Sequence, residues 1–212
     1  MRGRRVSFVT RFGVLTLLLL LAAAPAGASD VPAARGRLVG HPRSRFPLPV
    51  YLEPGLDSTL QAAVRAAVSD WSRVVTEALG VQAFAWSEAE PGAAVVIRMT
   101  AEAPERLFGE TWLDADDARV LRLPIRLVLS QPVARGQTPP ERLLYQVAAH
   151  ELGHALGLPH ANEPASLMCC DPGALNFDDP AVRAAYLQAR RQPDLRSVIP
   201  QLAAHYRQLW GP

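Results

Sequence analysis

The sequence predicts an α+β domain behind an N-terminal leader. Three observations carry that reading. Short runs rich in β-branched and aromatic residues alternate with helical stretches. Leu60, Val64, Val68, Trp71, Val75 and Leu79 recur at the three-to-four spacing of a helix with one buried face. Residues 150–160 carry three histidines spaced for a helix that ends in a sharp turn. The 212 residues suffice for one domain with a sizeable core.

Residues 1–11 hold Arg2, Arg4, Arg5 and Arg11 and no acid, and a charge-free run from Phe12 to Ser29 follows. The run ends in Ala26-Gly27-Ala28, an A-x-A cleavage pattern, so residues 1–28 read as a signal peptide cut after Ala28. An uncleaved anchor is the other reading, weakened because the run is short and alanine-rich at its end. Arg4-Arg5 has the look of a twin-arginine signal, but the residues after the pair fit poorly, which favours general secretion. Residues 29–45 are rich in Arg, Gly and Pro without an apolar period and read as a flexible arm; 46–212 is the domain proper.

Within it, Pro47 to Glu53 reads as a first strand. Asp57 or Ser58 caps the long periodic helix and Gly80 stops it. Val81 to Trp86 and Ala93 to Thr100 read as strands, with Arg98 at a solvated or edge position. Leu107 to Leu113 is a further strand, Asp114, Asp116 and Asp117 an acidic turn, and Leu121 to Ser130 the last strand. Residues 131–138 form a linker. Thr138 and Glu141 are spaced as a capping box with Pro139 at the first helical position. The helix that follows sends Leu143, Leu144, Val147 and Leu152 into the core and ends in the histidines. Residues 173–197 look like an insertion containing a helix from Asp179 or Pro180 to Arg191, and a last helix spans about Ser197 to Trp210.

The stretch His150-Glu151-Leu152-Gly153-His154-Ala155-Leu156-Gly157-Leu158-Pro159-His160 reduces to H-E-x-x-H-x-x-G-x-x-H. At about 100° per residue, His154 returns to within roughly 40° of His150, one turn on. Two imidazoles then face one point, and Gly157 can take the left-handed conformation that turns His160 back as a third ligand. Three nitrogen ligands with an open fourth position are what a catalytic zinc ion takes. Glu151 lies beside the histidine face and not on it, which suits a proton acceptor that leaves the metal alone. By composition the five fixed residues co-occur in roughly one such chain per 10⁵, which sets aside three histidines that merely sit in a helix.

These eleven residues, followed by Ser166-Leu167-Met168, resemble the metzincin clan of zinc peptidases and, within it, the matrixins of bacterial secreted type. Seven residues (161–167) separate His160 from Met168, the short spacing matrixins show. The resemblance is specific over about 138–170 and looser over about 46–137. It implies an α/β/α-like catalytic domain: a twisted, mostly parallel five-stranded sheet with an edge strand over the cleft, two long helices, a Met-turn and a closing C-terminal helix. It further implies His150, His154 and His160 as zinc ligands, Glu151 as catalytic base, and Met168 as an apolar base under the site. The edge strand that would pair with extended substrate falls on Phe108, Gly109, Glu110, Thr111 and Trp112. An ordinary half-buried hairpin arm is the other reading of that stretch. The implied activity is endopeptidase hydrolysis of protein or peptide substrates by a zinc-activated water. A secreted binding module stapled by zinc is the rival from another class, with Cys169 or Cys170 as the fourth ligand such a site needs. A zinc amidase acting on cell-wall peptides is the second rival.

Two departures from the family matter. The glycine-rich loop that carries further zinc and calcium in many matrixins has no match, so one zinc ion is expected and calcium is not. Cys169-Cys170-Asp171-Pro172 stands where matrixins usually have Tyr-Pro, which unsettles any transfer of side-chain preference. The adjacent cysteines cannot staple distant segments; they read either as small apolar residues in a turn or as a vicinal disulfide. Matrixin propeptides commonly block zinc with a cysteine, and none precedes the motif here. His41 or Asp30 is left as a substitute blocker, beside a plain linker reading.

The formal charge of +2 belongs to the leader: removing four of the 22 basic residues leaves 18 against 20 acids, and no nucleic-acid partner is implied. All the basic residues are arginine, an association with GC-rich bacterial genomes. The mature chain is expected to be a monomer in the periplasm or outside the cell, without stable membrane insertion. His205 on the last helix reads as an ordinary surface or core residue.

Overall fold

A computed structural model describes residues 38–100, 108–132 and 138–211. Its strands are β1 (Leu48–Leu52), β2 (Phe84–Trp86), β3 (Val95–Thr100), β4 (Gly109–Trp112) and β5 (Ile125–Ser130). They form one sheet in the order β2-β1-β3-β5-β4. The first four in that order run parallel, and β4 pairs antiparallel with β5 at the edge. The helices are α1 (Ser58–Leu79), α2 (Pro140–Ala155), α3 (Pro180–Arg191) and α4 (Ile199–Trp210). The architecture is the α+β arrangement expected, a five-stranded, mostly parallel sheet with an antiparallel edge.

Side-chain alternation explains which face is buried. Leu48, Val50, Leu52, Val95, Ile97, Ile125, Leu127 and Leu129 enter one core with α1 and α2. Arg98 and Arg126, on the opposite face, are exposed. In α1 the apolar stripe lies in that core, Asp57 caps the start through Thr59 N and Leu60 N at 2.9 and 3.0 Å, and Gly80 ends it. Trp71 locks α1 to α2 by donating Nε1–H to Ala149 O at 2.7 Å. A buried tryptophan needs such a partner, and this one fixes the metal-motif helix one residue before His150.

Four readings need correction. The Thr138–Glu141 capping box does not form: Pro139 is the N-cap, Pro140 is the first helical residue, and no side chain caps α2. Two consecutive prolines carry no N–H, so part of the demand for a cap disappears. Leu143 is half-buried and stays outside the core. The last strand begins at Ile125, not Leu121, because Pro124 has no N–H for a ladder; Leu121 lies outside the strand, in an isolated bridge to Ala115. Residues 38–45 of the supposed flexible arm are built into the domain. Val39, Gly40 and His41 are buried between the end of α2 and α4, Gly40 bridges Val120, and Arg43–Arg45 forms a 3-10 turn.

Residues 1–37, including the leader and Asp30, lie outside the described residues, as do Leu107 and most of the linker at 133–137. No helix among the described residues is long and apolar enough to cross a membrane.

Candidate metal centre

The end of α2 is a Schellman turn. Gly157 sits at φ 86°, its N–H bonds His154 O at 2.7 Å, and Leu158 N–H bonds Gly153 O at 3.0 Å. Any side chain at residue 157 would also drive its Cβ into Val39 O. The turn does two things for the site. It sends the chain back toward His150, and it aims Leu158 O at the ring of His154.

Each of the three imidazoles is held by Nδ1. His154 Nδ1 meets Leu158 O at 2.8 Å, His150 Nδ1 meets Leu167 O at 2.8 Å, and His160 Nδ1 meets Asp171 Oδ1 at 3.1 Å. All three partners can only accept, so the proton of each neutral ring is on Nδ1 and the lone pair on Nε2. The Nε2 atoms converge. That of His160 lies 3.2 Å from that of His150 and 3.3 Å from that of His154. The three ligand atoms all fall within 4.8 Å of one another.

With protons on Nδ1, the three Nε2 lone pairs face one another, an arrangement that a shared cation would satisfy. Nitrogens bound about 2.0–2.1 Å from one ion at tetrahedral angles sit about 3.3 Å apart, the separation that His160 keeps from each of the other two rings. Burial, reinforced by the neighbouring imidazoles, lowers the pKa of His154 to about 4 and that of His150 well below 6.5. Both rings are therefore neutral at ordinary pH, as ligation requires.

Glu151 is buried on the same helix. Burial raises its carboxyl to about 7, against the lowering effect of a hydrogen bond from Thr111. That bond runs from Thr111 Oγ1 to Glu151 Oε2 at 2.6 Å, and the same hydroxyl lies 3.1 Å from Glu151 O. β4 thus lies directly over the motif helix. It can do so because residue 109 is glycine: a Cβ there would come within 2.7 Å of Val147 and 2.8 Å of Glu151. Gly109 and Thr111 are buried on the site side, Glu110 is half-buried, and Trp112 is 60% exposed. Phe108 precedes the strand and accepts a bond from Ser130 N through its carbonyl at 2.9 Å.

Met168 is fully buried beneath α2, against Gly153, whose missing side chain makes room for its sulfur and for Trp71. Cys169 and Cys170 are joined to each other by a disulfide across a cis peptide bond, with Cα atoms 3.1 Å apart. Asp114 pairs with Arg122 at 3.2 Å and Asp116 caps Val120 N at 2.9 Å, so these two turn carboxylates have structural partners.

The sequence singles out the ligands but not what holds them. Thr111 carries no local sign of its bond to Glu151, and Asp171 lies eleven residues beyond the ring it touches. His41 is no blocker of the site. Its Nε2 is hydrogen-bonded to Ala155 O at 2.9 Å on the fully buried side of α2.

The matrixin family model matches residues 101–172, which include β4, β5, α2, the three histidines and the Met168 turn. No curated protein gives a significant match to the chain. Family match, sheet and three-histidine cluster agree, and over residues 101–172 the chain is similar to the matrixin metallopeptidases.

Proposed function

We propose that this chain is a secreted zinc-dependent endopeptidase in which Glu151 serves as general base. The observation that supports it most is the convergence of three Nε2 lone pairs next to a buried carboxyl group on the same helix. His150, His154 and His160 would hold the ion. Zinc, when bound, supplies a Lewis acid that acidifies water and polarises a carbonyl. Glu151 accepts a proton from the attacking water and hands it to the departing amine nitrogen. A carboxyl near 7 suits both directions of that transfer at neutral pH. Thr111 bonds one oxygen of the carboxylate and leaves the other to exchange the proton. The main chain of β4 offers an extended peptide an edge to pair with, and Met168 gives the ligand helix an incompressible floor.

The zinc-stapled binding module loses support here. Its fourth ligand was to come from Cys169 or Cys170, and both sulfurs are committed to each other. Among the described residues the ligand cluster contains the three histidines alone. Secretion rests on the pattern of residues 1–28.

The test is Glu151→Gln in the purified mature chain, assayed on unfolded casein, a peptide library and peptidoglycan fragments, with and without chelator. The variant is expected to retain one zinc per chain and to lose about 10²–10⁴-fold in peptide hydrolysis. Full activity of the variant would refute the assignment of Glu151. Cleavage confined to peptidoglycan fragments would replace the endopeptidase with a cell-wall amidase.

A further inference from the structure

The three ligands are not anchored alike. His150 and His154 are oriented by main-chain carbonyls of Leu167 and Leu158, which the fold holds whatever the side chains there. His160, the ligand that leaves the helix, is oriented by a side chain, the carboxylate of Asp171. We infer that Asp171 is a positioning residue that sets the ring and basicity of His160, and that Arg190 of the inserted helix α3 holds Asp171's segment in place. The inference rests on the zinc-peptidase reading.

The geometry supports both parts. A carboxylate on the far nitrogen of a ligating imidazole fixes its tautomer and raises the donor strength of the other nitrogen. The approach to Asp171 is clamped from two sides. The disulfide ties together the two residues immediately before it. The Arg190 guanidinium donates to Cys169 O at 2.6 Å and to Ser166 O at 3.4 Å, spanning the Met168 turn. Arg190 is itself aimed by Gln146 on α2, whose amide, in the orientation that satisfies both of its groups, accepts from Arg190 Nε at 2.8 Å and donates to Arg190 O at 3.1 Å. A chain of contacts therefore leads from the face of α2 beside the motif, through α3, back to the third ligand. The Asp171 side chain is 56% exposed, so replacing it leaves no buried hole.

The experiment is a zinc-affinity measurement by competition with a fluorescent chelator on the purified full-length chain and on Asp171→Ala, Asp171→Asn, Asp171→Glu and Arg190→Met, with circular dichroism of each. Asp171→Ala is expected to weaken zinc binding about 10-fold or more, in the range that second-layer partners command. Asp171→Asn, which keeps an acceptor but drops the charge, should fall between Asp171→Ala and the parent, and Asp171→Glu should recover part of the loss. Arg190→Met should weaken binding less than Asp171→Ala and add nothing when the two are combined. A parent chain that binds zinc with an Asp171→Ala variant of equal affinity overturns the inference and leaves the peptidase reading standing. A folded parent chain that binds no zinc overturns both.

Discussion

His154 and His41 both lie against the C-terminal turn of α2, yet their rings are bonded the opposite way round. His154 gives Nδ1 to Leu158 O and keeps Nε2 open toward two other imidazoles. His41 gives Nε2 to Ala155 O, and its Nδ1 faces the Arg45 guanidinium at 3.4 Å. Both nitrogens of His41 are spent. His205 follows His41, with Nε2 on Val39 O at 2.8 Å. Burial lowers the pKa of His41, His154 and His205 alike, so neither burial nor a shifted pKa separates a ligand from a structural histidine. What separates them is whether an unspent lone pair points at others like itself.

The sharpest way to break this comparison is to delete one member of each group. His154→Ala should lose zinc and nearly all peptide hydrolysis. His205→Ala should keep one zinc per chain, read by elemental analysis, and lose only stability, about 1–3 kcal/mol for the Val39 carbonyl left buried without its donor. Zinc loss in the second variant would erase the distinction.

The next test uses pH. His41 has a pKa near 4 in the fold against 6.5 as a free side chain, so the unfolded chain takes up the proton first. Its contribution to stability is complete above pH 6.5 and is lost as pH falls toward 4, on the order of 3 kcal/mol. His41→Gln keeps a donor for Ala155 O and does not titrate. Denaturant melts of the zinc-free forms should then show a shallower acid limb for the variant than for the parent chain.

Smaller effects sharpen the catalytic side. Thr111→Val removes the hydroxyl from Glu151 while keeping the shape of the side chain. A hydrogen bond to a charged group contributes about 1.5–3 kcal/mol, so hydrolysis should drop about tenfold to a hundredfold with zinc content unchanged. The smallest change is expected for Met168→Leu, a swap of similar volume: stability should fall by less than about 1.5 kcal/mol and zinc should be retained. Zinc loss there would make Met168 more than a floor.

Much of this was legible in the chain itself. The α1 stripe, its Asp57 and Gly80 ends, the α3 start at Asp179 and the turn at Gly157 all follow from local chemistry: capping oxygens, backbone freedom and helical period. Elements ruled by local chemistry were misread only where two local signals competed, as at Thr138-Pro139-Pro140, where missing N–H groups outweigh a spacing that otherwise suits a capping box. The arm from Leu38 to Arg45 was misread for another reason. Its composition is that of a linker, but Gly157 leaves room for Val39 O, and Trp210 donates to His41 O at 2.8 Å from the far end of the chain.

The sequence by itself determined the candidate ligand set, because i, i+4 spacing and a glycine turn are properties of one short segment. Only the tertiary structure decided how those ligands are held: Leu167 O behind His150, Asp171 behind His160, Thr111 over Glu151 and Arg190 across the Met168 turn. The physical reason is distance along the chain. A helix dictates where its own side chains point, whereas a hydrogen bond between residues 21 or 40 positions apart exists only after the sheet, α2 and α3 have packed.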